Sequence, residues 1–259
     1  MKKTLLLAAG MALALTLAAC ETTYAPPAPA DYSALYTEAL SAVGRTDEDL
    51  SRDEARMPVA TLTFTGVKPG DTVIELEAGG GYFTPFLAHV VGSEGTVYMQ
   101  NPEEFSAFWG GGEPPRMAEL PEQVSYLMSD FYDFTGVEDG SVDIVTWFQG
   151  PHELWFKPEN RPDGFGDPTA VFDEIARVLK PGGKLVMLDH AAPTGADAST
   201  GGDTHRIDPV LIDEYALASG LTFVRDSDLF ANPDEDMLTN VFDPAIRGKT
   251  NQFFVKYEK

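Results

Sequence analysis

The chain has 259 residues, 43% of them hydrophobic, enough for one sizeable domain or two small ones. It carries 41 acidic against 18 basic residues, a formal net charge of −23. A surface of that sign repels phosphate backbones, so nucleic acid is not an expected partner.

Lys2 and Lys3 are the only charges in the first twenty residues, and Leu5 to Ala19 is an uncharged run. That run is shorter than the roughly 20 residues of a membrane-spanning helix and has the length of a signal-peptide core. Its end, Leu17-Ala18-Ala19-Cys20, resembles a bacterial lipobox. The resemblance implies cleavage before Cys20, acylation of its thiol and new amino group, and a periplasmic lipoprotein held on a membrane. Several acyl chains anchor stably where one is marginal. Cys20 is the only cysteine, which excludes an internal disulfide. Residues 1–20 are thus read as a signal peptide. Residues 21–30, with Pro26, Pro27 and Pro29, read as an extended tether.

Residues 31–66 read as N-terminal helices and residues 67–259 as the main domain. One helix is expected near Tyr32 to Val43. A second is expected after Ser51, an N-cap with Glu54 three positions on, and Pro58 kinks or ends it. From Val67 strands and helices alternate. Strands are expected at Thr72–Leu76, Thr96–Gln100, Val124–Met128, Val142–Phe148, Lys184–Leu188, Leu221–Val224 and Gln252–Tyr257. Helices are expected at Phe83–Val91, Pro102–Trp109, Pro168–Leu179 and Pro209–Ser219. Alternation of this kind gives an α/β fold with a mainly parallel sheet and helices on both faces. Ligands of such sheets bind beyond the carboxyl ends of the strands.

Behind the first strand stands Glu75-Leu76-Glu77-Ala78-Gly79-Gly80-Gly81-Tyr82. Glycines there allow positive φ and close approach of a ligand. A dinucleotide site would want G-x-G-x-x-G and an acid about 20 residues on. The third glycine position falls on Thr84, and Met99, Gln100 and Asn101 stand where the acid should be, which argues against NAD. The stretch Val73 to Tyr82, with Val178-Leu-Lys-Pro-Gly-Gly-Lys-Leu-Val186, resembles the class I S-adenosylmethionine-dependent methyltransferases. The resemblance implies a Rossmann-like, doubly wound sheet of seven strands with an antiparallel C-terminal strand, and S-adenosylmethionine as cofactor. It implies that Glu75 meets the cofactor's amino end, that Gly79, Gly80 and Gly81 make room for it, and that Asp130 contacts adenine. Gln100 then stands where an acid usually holds the ribose, and Glu77 where glycine is usual.

More narrowly, Arg52 to Pro58, Gly79 to Thr84, His152, Leu179 to Gly183, Asp189-His190, Thr204-His205-Arg206 and Asn232-Pro233 resemble a family of bacterial methyltransferases, often exported. That implies transferase activity and names no acceptor.

Of the four histidines, His89 lies inside an expected helix and is read as structural or exposed. His152 follows the fourth strand, and imidazole suits a general base for an acceptor that must lose a proton. His190 and His205 are read as acceptor-binding. His152, Asp189, His190, His205 and Asp208 have the chemistry of metal ligands. They come from three separate segments without a compact spacing such as H-E-x-x-H, so no metal is assigned. Trp147, Phe148, Trp155 and Phe156 flank His152 and are read mainly as core, with an apolar acceptor pocket as the alternative. The expected function is methyl transfer to a small-molecule or lipid acceptor by a lipid-anchored envelope protein. A competing reading, prompted by the cytosolic source of the cofactor, is a non-catalytic envelope binding protein on the same fold.

Overall fold

The computed structural model describes residues 30–159 and 161–259. The lipobox ending at Cys20 and the tether up to Pro29 lie outside the described residues.

Short apolar runs bounded by turns form the sheet. Strands β1 (Thr72–Leu76), β2 (Thr96–Asn101), β3 (Val124–Met128), β4 (Val142–Phe148) and β5 (Leu179–His190) precede β6 (Thr222–Asp226) and β7 (Gln252–Glu258). The order across the sheet is β3-β2-β1-β4-β5-β7-β6. The first five pair in parallel, while β7 runs antiparallel between β5 and β6. This is the seven-stranded sheet expected from sequence. Its strands are covered on both sides, as parallel strands must be. Ile74, Leu76, Val145 and Trp147 join Phe172 and Tyr257 in one core. Val73, Val97, Ile144 and Val186 join Phe86 and Phe254 in the other.

Three helices precede the sheet: α1 (Ser33–Glu38), α2 (Asp47–Arg56) and α3 (Pro58–Thr65). The first stops short of Val43 and ends in a 3-10 turn at Ala39–Ser41. The capping box of α2 is Thr46 with Asp49, not Ser51 with Glu54. The Thr46 hydroxyl accepts from the Asp49 N–H at 3.2 Å and the Asp49 carboxylate from the Thr46 N–H at 2.8 Å. Ser51 lies inside the helix and donates to the Glu48 carbonyl. Met57, at φ 42°, separates α2 from α3, and Pro58 opens α3 where its missing N–H costs nothing.

Helices α4 (Thr84–Val91), α5 (Pro168–Val178), α6 (Thr200–Thr204) and α7 (Pro209–Ala218) complete the framework. Asp208, weighed as a metal ligand, instead accepts the Val210 N–H as N-cap of α7 and the Gly195 N–H. The segment Glu103–Trp109 is 3-10 rather than α-helical, and α6 was not expected. The chain order reverses between β1 and β4, so a crevice opens beyond their carboxyl ends. The glycine bend stands on one side of it and the segment after β4 on the other.

Candidate functional site

The bend is held open by amide side chains. Gln100 Oε1 accepts the Glu77 N–H at 2.9 Å, and Gln100 Nε2 donates to the Ser129 carbonyl at 2.6 Å. Asn101 accepts the Gly79 N–H at 2.7 Å and donates to the Gly79 carbonyl at 3.1 Å. Both side chains are fully buried. An amide offers a donor and an acceptor together, which an ionised carboxylate does not. Gln100, expected at the ribose, therefore spends both ends of its amide joining β1, β2 and the chain after β3.

Gly79 (φ 57°) and Gly81 (φ 79°) lie in the left-handed region. Nothing lies within 4 Å of where a Cβ on Gly79 or Gly80 would stand, whereas one on Gly81 would meet Met99 and Thr84 at 2.7 Å. Space is thus kept over the first two glycines, and the third packs inward. Arg116 fixes the bend from outside: it donates to the Gly80 carbonyl at 2.6 Å and pairs with Asp49 of α2 at 2.6 Å. The sequence reading did not find this tie.

Glu75, at the tip of β1, is 5% exposed and accepts the Thr84 hydroxyl at 2.5 Å. Burial pushes its pKa up to about 7. Arg56 lines the same small cavity with Glu77, Tyr82, Phe83 and Phe148. Its guanidinium stacks on Tyr82, 4.9 Å from the ring centre, and burial together with Arg52 lowers its pKa to about 10. The cavity measures about 20 Å³, room for little more than one water. The amino acid end of a cofactor would enter it only if it widens.

Two features close the crevice. Glu77 (φ 55°) turns its carboxylate across the crevice to accept from Trp147 Nε1 at 2.8 Å. Burial and the nearby Glu153 charge raise the Glu77 pKa well above the usual range. At the other end Asp130, expected at adenine, is paired with Arg161, which also holds Glu104 at 2.8 Å.

Beyond β4 the histidines gather. Gln149 takes φ 61° and leads into a 3-10 turn, Pro151–Trp155. His152 is 4% exposed. Its ring Nδ1 lies 2.9 and 3.0 Å from the two oxygens of Asp189, and its backbone N–H donates to Asp189 at 2.7 Å. Asp189 is fully buried near the end of β5 and also accepts the His190 N–H at 2.8 Å. On the far side of the ring, His152 Nε2 lies 3.2 Å from His205 Nδ1 and 3.5 Å from Glu153 Oε1. Burial alone would depress the His152 pKa, but Asp189 and Glu153 outweigh it and push the value up to about 10. Burial alone would raise Glu153, but His152 and His205 hold it at about 2. Glu153 is a site residue that sequence reasoning missed; its place beside His152 after a parallel strand was the available signal.

His190 differs. Burial pushes its pKa down to about 4, and its Nδ1 lies 2.7 Å from the Thr250 hydroxyl. It faces a second cavity of about 430 Å³, lined also by Arg52, Arg56, Gln149, Arg247 and Gln252. His89 is exposed on α4. Trp147 is fully buried core that also serves the site through its indole N–H.

Comparison with known proteins places these features. Residues 74–187 match the family described as a methyltransferase domain. A methyltransferase from Aquifex aeolicus, dependent on S-adenosylmethionine, superposes with a TM-score of 0.55 at 20% identity, covering 80% of this chain and 92% of that one. The fold is that of the S-adenosylmethionine-dependent methyltransferases. Geranyl diphosphate C-methyltransferase from Streptomyces coelicolor, solved with Mg2+, geranyl diphosphate and S-adenosyl-L-homocysteine, shares this methyltransferase fold. Its TM-score is 0.55 at 14% identity, over 82% of this chain and 80% of that one. In sequence, the ubiquinone/menaquinone biosynthesis C-methyltransferase of Shewanella woodyi is 29% identical over 133 residues, 51% of this chain and 48% of the relative. The chain thus spans about half the length of the curated relatives it matches.

Proposed function

We propose that this protein is an S-adenosylmethionine-dependent methyltransferase acting on a small acceptor with an anionic group, and that a lipid anchor at Cys20 holds it in the bacterial envelope. The observation that carries the reading is that Glu75 and Arg56 line one cavity beside the glycine bend. The amino acid end of the cofactor bears an ammonium and a carboxylate, and these two side chains complement them. Gly79 and Gly80 leave the adjoining backbone bare for the nucleoside. Phe83 and Phe148 supply apolar contact beside it.

The acceptor reading rests on the larger cavity. Arg52, Arg56 and Arg247 all line it, and none of the three forms an ion pair among the described residues. Against a single acid in that lining, Glu48, three guanidinium groups suit a carboxylate or phosphate. Arg56 lines both cavities, so acceptor and methyl donor would meet beside it. Transfer of a methyl group depends mainly on alignment of nucleophile, carbon and sulfur. Two cavities meeting at one side chain serve that requirement.

Calorimetric titration of the mature protein in detergent with S-adenosylmethionine, and with its demethylated product, tests the reading. Micromolar binding of both supports it. No heat with either at millimolar concentration removes it, and binding without transfer to any anionic acceptor would favour the non-catalytic alternative. The anchor is tested separately: labelled palmitate should enter the protein and not its Cys20→Ala variant.

A further inference from the structure

We propose that His152 Nε2, His205 Nδ1 and Glu153 Oε1 together form a binding site for one divalent transition-metal ion of the zinc and iron(II) class. The three donor atoms lie 3.2, 3.5 and 3.6 Å from one another, close enough to share one ion. Ligands held at ~2.0–2.1 Å around a tetrahedral ion are about 3.3–3.5 Å apart. An ion therefore fits between these atoms with shifts of a few tenths of an ångström.

The surroundings are those of a built site. A carboxylate accepts and does not donate, so the contact with Asp189 keeps a proton on His152 Nδ1, and metal binding would displace the proton of Nε2 to make it the donor atom toward the ion. A carboxylate behind a ligating imidazole fixes its tautomer and raises its basicity. Asp189 is itself fully buried and locked by the backbone N–H groups of His152 and His190. His205 comes from a different part of the chain, and α6 carries it to the turn that holds His152 and Glu153. That approach depends on Gly201, where a Cβ would collide with the His152 carbonyl oxygen and Trp155. His205 takes φ 55° to aim its ring and rests on Phe242, 4.8 Å between centres.

The donor set decides the ion. Two imidazoles and one carboxylate suit borderline cations, whereas Mg2+ and Ca2+ take oxygen ligands. Three protein ligands leave a coordination position open, the pattern of catalytic rather than structural zinc. Under the proposed transferase reading, on which this use of the site rests, the open position would bind an oxygen of the acceptor and orient it toward the methyl donor.

The test reads metal directly and does not involve the methyl donor, so its failure is distinct from failure of the transferase reading. Mature protein in detergent is stripped with a chelator, dialysed against Zn2+ or Co2+, and assayed by elemental analysis and visible absorption. The expected result is about one equivalent of zinc and, with cobalt, the intense visible band of a four-coordinate ion. His205→Ala, at a partly exposed position, and Glu153→Gln should each lower affinity at least tenfold while circular dichroism stays native. Asp189→Asn should weaken it by about 10–100-fold. Wild-type protein that retains neither ion, or folded His205→Ala and Glu153→Gln variants that bind as wild type does, would overturn the proposal.

Discussion

If Glu75 meets the cofactor's ammonium as proposed, its buried carboxylate should make cofactor affinity depend on pH. In the free protein burial sets its pKa at about 7, and the ammonium of S-adenosylmethionine pairs only with the ionised form. Below about pH 7 the carboxyl must first lose its proton, at ~1.4 kcal/mol per pH unit. The dissociation constant should therefore rise about fivefold between pH 7 and pH 6, approach a further tenfold by pH 5, and level off above pH 8. Binding at pH 6 should release nearly one proton, seen as a dependence of calorimetric heat on the buffer's ionisation enthalpy. Glu75→Gln keeps an acceptor for the Thr84 hydroxyl but loses the charge. It should bind ~10–100-fold more weakly at pH 8, the worth of a charge-assisted hydrogen bond, with no pH slope. The stability of the unliganded protein should run the other way. The folded pKa lies above the unfolded value, so stability from this group is full below pH 4.5 and is lost as pH rises through about 7. Chemical denaturation should show Glu75→Gln more stable than wild type at pH 8, by up to about 3 kcal/mol, and equal to it at pH 4. A wild-type affinity that is flat from pH 5 to pH 8 would refute the placement of Glu75 against the cofactor.

Other substitutions separate the two cavities. Gly79→Val puts a β-branched residue at φ 57° in open space, so the protein should fold with a loss of about 1–3 kcal/mol and lose cofactor binding entirely in the same calorimeter. Arg247→Ala, at a residue that lines the cavity proposed for the acceptor and not the one beside Glu75, should raise the acceptor KM about tenfold or more and leave cofactor affinity unchanged. Arg161→Ala frees Asp130 and Glu104 and should speed cofactor association in stopped-flow fluorescence, since less must be displaced.

The sheet was readable because each strand is a short apolar run stopped by turn residues; β1, β3 and β4 have the bounds expected. The cap of α2 was misread because two overlapping stretches satisfy the same local rule, Thr46 with Asp49 and Ser51 with Glu54. The choice is made by a distant residue, Arg116, which holds Asp49 in place. Helix α6 was missed because Thr200-Gly-Gly-Asp-Thr204 has little helical propensity; it forms against the turn at Pro151–Trp155, where Gly201 permits close approach. The site divides in the same way. Glu75, the glycines and His152 were visible because topology places strand ends together. The partnership of His152 with His205, 53 positions apart, exists only after folding, and so does the commitment of Gln100 to the bend.

The two departures from the usual methyltransferase pattern, Glu77 in the glycine bend and Gln100 near the end of β2, are physically one feature. Gln100 accepts the Glu77 N–H, which stabilises the left-handed backbone that a non-glycine residue resists by roughly 1–2 kcal/mol. That backbone aims the Glu77 carboxylate at the Trp147 indole. Room for it exists only because residue 150 is glycine: a Cβ there would collide with both the Glu77 carboxylate and Trp147 Nε1. Gly150 in turn begins the turn that carries His152 and Glu153, and Glu153 is the charge that most opposes ionisation of Glu77. A chain of direct contacts thus runs from the end of β2, through the glycine bend, to the histidine cluster. Glu77→Gly alone would relieve the strained backbone but leave a buried indole N–H without its partner, a cost of about 1–3 kcal/mol. The glutamate is therefore held by its neighbours on both sides, and widening the cavity beside Glu75 would mean moving this carboxylate away from Trp147.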